Sequence, residues 1–384
     1  MIRSSFPTSR ICCPSCPEKS KGVLITPATF REIVSGQRSG PLAALSRVAL
    51  RGAEVPYRAA VGWRNRRFDR GHATVHRADV PVLSVGNLTL GGTGKTPMVE
   101  WLARWFRDRD VRVAIVSRGY GAEVGQRNDE ALELEQKLPD VPHLQNPNRV
   151  AAVQTAVDQL DARLIVLDDG FQHRRLWRDL DIVMIDALEP FGYGHVFPRG
   201  TLREPISALS RADLIALSRS DMVEPSRREE IRREVERHAP NAAWIEVAHQ
   251  PRALISCGET ETPLDSLAGR RVAAFCGIGN PQGFRHTLQS CGYQVVDLYE
   301  LPDHHNYRRE DVESLTAWVE QLDDVAAVVC THKDLVKLRV ERLGETPLWA
   351  MMIALEIRQG AEVLEEKLRP LARIVNDSIS RDET

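Results

Sequence analysis

The residues best suited to chemistry lie at 86–97, Gly-Asn-Leu-Thr-Leu-Gly-Gly-Thr-Gly-Lys-Thr-Pro, between an apolar run and an amphipathic stretch. Glycine lets the backbone approach a phosphate closely, and successive N–H groups of Gly91, Gly92, Thr93, Gly94, Lys95 and Thr96 can wrap one. A helix opening here adds its dipole and its free N-terminal amides to the anion site. In such a loop Lys95 reaches the β- and γ-phosphates and the Thr96 hydroxyl ligates Mg²⁺. The P-loop pattern also places a glycine six residues before the lysine, where this chain has Thr89. The remaining Gly-Gly-Thr-Gly-Lys-Thr still predicts a nucleotide site.

A second group is Leu167-Asp168-Asp169-Gly170-Phe171-Gln172-His173-Arg174. An acid at the carboxyl end of a strand beside a P-loop can hold Mg²⁺ or its waters. Strand side chains alternate faces, so two adjacent Asp cannot both be core. The same residues also suit a plain turn cap. Ser117-Arg118-Gly119-Tyr120-Gly121 is either a third site or a glycine turn. Asn128-Asp129-Glu130 and Pro302-Asp303-His304-His305 read alone as a helix start and a surface loop. Thr331-His332-Lys333-Asp334 suits a nucleotide border or a helix cap.

The elements that must position these groups follow a βα alternation from residue 80. Apolar runs predict strands at 81–86, 111–117, 163–168, 181–186, 213–218 and 243–248, with helices over 96–109 and 148–160 among them. Short Val/Ile/Leu runs without alternation suit a parallel sheet covered on both faces. A second series follows, with strands at 271–276, 293–298 and 326–331 and helices near 281–290 and 309–321. Pro251, Gly258, Pro263 and Gly269 mark a boundary near 250–268.

The chain has 384 residues, is 42% hydrophobic and carries a formal charge of −2, which excludes a collagenous or mostly disordered chain and gives no overall field for nucleic acid. At this length two domains are the default. Cys12, Cys13, Cys16, Cys257, Cys276, Cys291 and Cys330 are odd in number and mostly scattered, which argues against a disulfide framework and for a reducing compartment. Cys13 and Cys16 have metal-ligand spacing, but no second pair lies nearby to complete a zinc site. The expectation is a disordered leader over 1–28, without the apolar core of a signal peptide. No apolar run is long enough to span a membrane.

All but seven of the 51 basic residues are Arg, and residues 41–72 hold seven of these, Arg47, Arg51, Arg58, Arg64, Arg66, Arg67 and Arg70, against only two acids. Between them Leu42, Leu45, Val48, Val55, Ala60, Trp63 and Phe68 give helical spacing, and Pro56 is expected to kink or divide the helix. A basic amphipathic helix can lie in a membrane interface, and a surface helix packed on the core reads the same way.

Taken in order, SVGNLTLGGTGKTP, SRGYG, NDE, DDGFQHRR, DIVMID, FPRGTLREP, FCGIGNP, PDHHNY and THKD resemble the tetraacyldisaccharide 4′-kinases, the lipid A 4′-kinases of Gram-negative bacteria, over roughly 30–375. Pairing of DDGFQH with this P-loop is the most specific part. The resemblance implies an α/β fold: a P-loop NTPase-type parallel sheet domain (76–262), a smaller C-terminal α/β domain (263–384) and an N-terminal basic amphipathic helix (29–75). It implies MgATP, transfer to the 4′-hydroxyl of a tetraacyl glucosamine disaccharide 1-phosphate to give lipid IVA, and work at the cytoplasmic face of the inner membrane. A substrate with four acyl chains favours interfacial docking of the helix through Arg47 and Arg51. No nucleic-acid partner is expected, and the chain is expected to act as a monomer.

By position, the resemblance makes Gly91 to Thr96 the phosphate loop and Lys95 a catalytic cation. Asp129 becomes the base for the 4′-hydroxyl and His304 its partner. Asp168, Asp169, Thr96 and Glu204 fall around the metal, Gln172 near the nucleotide, and Arg118 and Arg203 toward the substrate. Asn128, Ala131 and His332 depart from the usual Gly, Pro and Glu of the family, and none removes a proposed catalytic group. The alternative is a P-loop regulatory GTPase or metal-chaperone ATPase, since Ser218-Arg219-Ser220-Asp221 loosely resembles a guanine-reading segment without its Asn and Lys.

Overall fold

The computed structural model describes residues 27–119, 129–258, 260–302 and 305–382. Cys12, Cys13, Cys16 and the expected leader up to residue 26 lie outside the described residues. The chain divides into two compact units, one ending at Ala49 and one beginning at Leu50. Helix α1 is Pro27–Ser35 and helix α2 is Pro41–Asp69. Helix α2 runs unbroken past Pro56, so of the two expected effects, kinking or dividing, the division does not occur. Both Pro56 and Gly52 are exposed, so the carbonyl that loses its N–H partner faces water.

The larger unit continues with β1 Val82–Asn87, α3 Lys95–Arg107, β2 Val113–Ser117, α4 Asp129–Lys137, β3 His143–Gln145, α5 Arg149–Leu160, β4 Leu164–Asp168 and β5 Leu180–Asp186. Then come β6 Leu214–Ser218, α6 Pro225–His238, β7 Ala243–Ile255, β8 Glu261–Thr262, β9 Arg271–Cys276, α7 Pro281–Ser290 and β10 Gln294–Glu300. The chain ends with α8 Arg309–Val319, β11 Ala327–Thr331, α9 His332–Leu338, β12 Arg342–Leu343, β13 Thr346–Gln359 and α10 Ala361–Asp382.

One sheet runs in the order β10-β9-β11-β13-β7-β6-β5-β1-β4-β2-β3, with β8 on β7 and β12 on β13. From β7 to β3 every neighbour is parallel, and so is every neighbour from β10 to β13. The two series are stitched by the antiparallel pair β13·β7, in register from Ala350↔Ile255 to Gln359↔Glu246. That partner explains why β7 runs to Ile255, well beyond the expected end at 248: β13 satisfies its backbone after β6 has ended.

The central strands are buried end to end, as a parallel sheet covered on both faces requires. Leu83, Val85, Leu164 and Val166 face Leu102 and Phe106 of α3 and Leu364 and Leu368 of α10. Val82, Ile165 and Leu167 point the other way, toward Ala152, Val153 and Ala156 of α5. Helix α10 thus returns from the end of the chain to seal the face behind the glycine-rich loop. Leu368 is fully buried there. Leu368→Ala is expected to lower the unfolding free energy by about 2–5 kcal/mol, read from denaturant curves. A change below about 0.5 kcal/mol would show that α10 is dispensable to this core.

Candidate active site

The glycine-rich loop leaves β1 at Asn87 and enters α3 at Lys95. Asn87 is fully buried, and its Nδ2 donates to the Thr89 carbonyl at 2.9 Å and the Gly91 carbonyl at 3.5 Å. The loop is braced from outside by the 201–203 segment: Leu90 N donates to Thr201 O at 2.7 Å and Arg203 N to Leu88 O at 2.7 Å. Gly94, the residue before α3, has φ 81° and ψ 26°, a left-handed conformation that suits glycine.

The Asp-Asp-Gly turn is packed against this loop. Val85 of β1 pairs with Asp168 at the carboxyl end of β4. A Cβ on Gly86 would sit 2.5 Å from Phe171 Cβ, and one on Gly170 would sit 2.5 Å from Ser84 Oγ. The two glycines let the β1 and β4 turns pass at a distance that side chains would forbid. Asp168 is buried, while Asp169 turns outward with φ 51°. Both faces of β4 are buried, so the left-handed turn after the strand, rather than strand alternation, makes this split.

Asp169 sits between two cations. Its Oδ1 is 3.6 Å from Lys95 Nζ, and Arg203 Nη1 donates to both carboxylate oxygens at 2.8 and 2.7 Å. Burial would raise its pKa, but Lys95 and then Arg203 outweigh this and hold it below the usual value. Gln172 closes the ring, with Nε2 donating to Asn87 O at 2.9 Å and Oε1 accepting from Arg203 at 3.4 Å. The structure therefore brings Lys95, Asp169, Gln172 and Arg203 together at the loop.

Glu204 is not brought there. Its carboxylate is fully buried and accepts from Asn65 Nδ2 at 2.7 Å, Arg211 at 3.1 Å and Arg64 at 3.5 Å. These bonds form a clamp: Arg64 and Asn65 of α2 and Arg211 meet on Glu204 and fasten α2 to the 203–211 segment. Tyr57 Oη donates to Arg203 O at 3.2 Å and Glu54 accepts from Val196 N at 3.1 Å along the same contact. In the smaller unit Arg47 donates to the carbonyls of Arg38 at 3.0 Å and Ile33 at 3.5 Å, so its guanidinium is held by its own backbone neighbours. Arg51 is exposed.

Arg118, exposed at the end of β2, belongs to a basic group that the sequence did not single out. Arg149 opens α5, is buried, and lies in the fields of Asp169, Asp168, Arg118 and Arg203; burial lowers its pKa. Burial, with Arg149 and other Arg nearby, pushes His173 down to about 4, so this ring is neutral at pH 7. His173 stands in the quoted DDGFQH motif, whereas nothing around Arg149 marks it before the fold is known.

Asp129 is the first residue of α4, and its side chain is outside the described set, as are His304 and residues 120–128. What holds α4 is visible. Lys137 Nζ lies 2.9 Å from Glu100 of α3 and 2.9 Å from Glu133, and His332 of α9 is 3.9 Å from Glu133. Burial favours the neutral Glu133, but Lys137 and His332 overcome it and keep the pKa low. Next to residue 304, Lys337 donates to His305 O at 3.0 Å, and Tyr307 donates to the fully buried Asp334 at 2.8 Å. Thr331 and Asp334 of the THKD motif are thus a capping pair that anchors this loop, with Thr331 Oγ1 2.6 Å from Asp334.

Among the described residues no group of three or more His, Cys, Asp or Glu is placed to hold a metal ion. Mg²⁺ needs only one or two protein oxygens when phosphates supply others. Thr96, buried in the first turn of α3, and Asp168 fit that demand. Asp169 is engaged by its two cations.

The depressed Asp169 pKa has a sign. Its stabilising effect is present above the unfolded carboxylate value of about 4 and is lost as pH falls through the folded value. Asp169→Asn is therefore expected to be less stable than the parent at pH 6, with the gap closing below about pH 4. A gap independent of pH in denaturation curves would contradict the pairing.

The family model for tetraacyldisaccharide-1-P 4′-kinase matches residues 46–372. A tetraacyldisaccharide 4′-kinase from Anaeromyxobacter sp. (strain K) is 41% identical over 351 residues, covering 86% of this chain and 92% of that protein. One from Desulfatibacillum aliphaticivorans is 35% identical over 378 residues, covering 90% of this chain and 98% of that protein. The solved structure of LpxK from Aquifex aeolicus, described as an "apo" form in complex with ATP, is 28% identical with a TM-score of 0.69, covering 85% of this chain and 99% of that one. The chain belongs to the tetraacyldisaccharide 4′-kinase family.

Proposed function

We propose that the cluster at the glycine-rich loop moves the γ-phosphoryl group of ATP to the 4′-hydroxyl of a tetraacyl glucosamine disaccharide 1-phosphate, forming lipid IVA in lipid A biosynthesis. The observation that carries this reading is the junction of Lys95, Asp169 and Arg203 at a P-loop in a chain of this family. In-line phosphoryl transfer needs positioning and charge neutralisation more than covalent help. The amides of Gly91 to Thr96 hold the phosphate chain, and Lys95 leaves Asp169 for the β- and γ-phosphates. Bound at Thr96 and Asp168, Mg²⁺ would neutralise charge on the phosphate oxygens. Arg118, Arg149 and Arg203 supply the positive field that the substrate's own phosphate requires. Arg219 of the Ser-Arg-Ser-Asp segment donates to Gly92 O at 3.1 Å and pairs with Asp186, so that segment braces the loop rather than reading a guanine.

Asp129 is the base in this reading. A carboxylate in the base role needs only to accept a late proton. His304 orients or tunes it. The P-loop series, 76–262, holds ATP, and the C-terminal series, 263–384, brings His304 to it. Incubation with the disaccharide 1-phosphate and labelled ATP should give a product heavier by one phosphoryl group. Asp129→Ala should turn over on the order of 10²-fold more slowly while still binding ATP. No heavier product from the parent removes the reading, and equal turnover in the variant removes Asp129 from the base role.

The acceptor's acyl chains require access from a membrane surface, and among the described residues no helix is long and apolar enough to cross one. Leu42, Leu45 and Val48 are exposed in the smaller unit, and Val55 and Trp63 in the larger. Arg51 and Arg58 are exposed beside them. Apolar side chains and exposed Arg on one helix suit an anionic interface, which supports a peripheral position, in this reading at the cytoplasmic face of the inner membrane. Arg51→Glu with Arg58→Glu should weaken binding to anionic vesicles and raise the apparent KM for micellar substrate. Unchanged vesicle binding in a sedimentation assay contradicts interfacial docking.

A further inference from the structure

His249 stands on β7, beyond Glu246, where the parallel pairing with β6 ends. Its ring lies against the glycine-rich loop: Cε1 and Nε2 are 2.4 and 2.5 Å from where a Cβ on Gly94 would be. Gly94 is the residue that delivers the chain into α3, so the ring edge rests on the backbone that forms the phosphate cradle. The Nε2 atom is buried and has no hydrogen-bond partner. A buried polar atom left unsatisfied is costly, and such atoms in a folded protein call for an explanation. Packing alone would be served as well by an apolar ring.

The surroundings point the same way. Arg219 occupies the Gly92 carbonyl, at 3.1 Å. Burial first, then the charges of Arg219 and Lys137, keep the His249 ring neutral at ordinary pH. A neutral imidazole carries one N–H, and a phosphate oxygen can only accept, so the pairing requires the proton on Nε2. We propose that His249 is a further nucleotide-binding residue, whose Nε2–H donates to a phosphate oxygen held in the 91–96 cradle. The proposal rests on the reading of that cradle as the ATP site.

The test uses the full chain with three probes, ATP, ADP and inorganic pyrophosphate, in calorimetric titrations. His249→Phe keeps a ring on Gly94 and removes the donor; His249→Gln restores a donor. Expected is a loss on the order of 10-fold in affinity for ADP and pyrophosphate alike in His249→Phe, with melting temperature without nucleotide equal to or above the parent's. His249→Gln should recover part of the affinity. Parent-like affinity in His249→Phe overturns the proposal. So does a loss that comes with a lower melting temperature, or one that His249→Gln does not relieve, since both describe packing. If the parent itself binds none of the three probes, the failure belongs to the ATP reading and not to His249 alone.

Discussion

One carboxylate holding two cations organises this site. Without Asp169, Lys95 and Arg203 would place like charges side by side at the loop with no carboxylate between them. With it, both cations are parked at the loop before any phosphate arrives. Asp169 reaches that position because of a left-handed backbone at the end of a buried strand. The turn fits because Gly86 and Gly170 let two strand ends pass at a separation that side chains would forbid. Charge placement and backbone packing here are one constraint, and a substitution in either disturbs both.

Around this centre the chain supplies braces from distant segments. The 201–204 segment bonds the loop through its backbone, Asp169 through Arg203, and α2 through Glu204. Lys137, Glu100 and Glu133 fix α4, which begins with Asp129, to the P-loop helix. Removing one member of such a buried charged group leaves the others uncompensated, which costs more than the group contributes when whole. The glycine-rich loop, the candidate base and the C-terminal series therefore share supports.

The sequence was most legible where chemistry demands particular residue types over a short span. The P-loop and the Asp-Asp-Gly turn announce themselves by glycine, cations and strand ends, and the parallel strands by unbroken apolar runs. Long-range pairings were not legible. Glu204 sits beside Arg203 in a motif but serves α2, because its partners Asn65 and Arg64 come from far upstream. Arg149 and His249 stand in segments without a local signature, and only the fold carries them to the phosphate site. Strand β13 was missed although Trp349, Met351 and Ile353 sit at alternating positions within a largely apolar run. Its pairing with β7 decides how the two series join. Pro56 does not divide α2, since a proline on the exposed side of a helix costs less when water can serve the freed carbonyl.

The central claim is that Asp169 acts through Lys95. A double-mutant cycle on turnover with ATP and the lipid acceptor tests it most directly, comparing Lys95→Ala, Asp169→Asn and the double variant. If the carboxylate's work is to position that cation, the double variant should be about as slow as Lys95→Ala alone. Losses that simply multiply would show two independent groups and contradict the account.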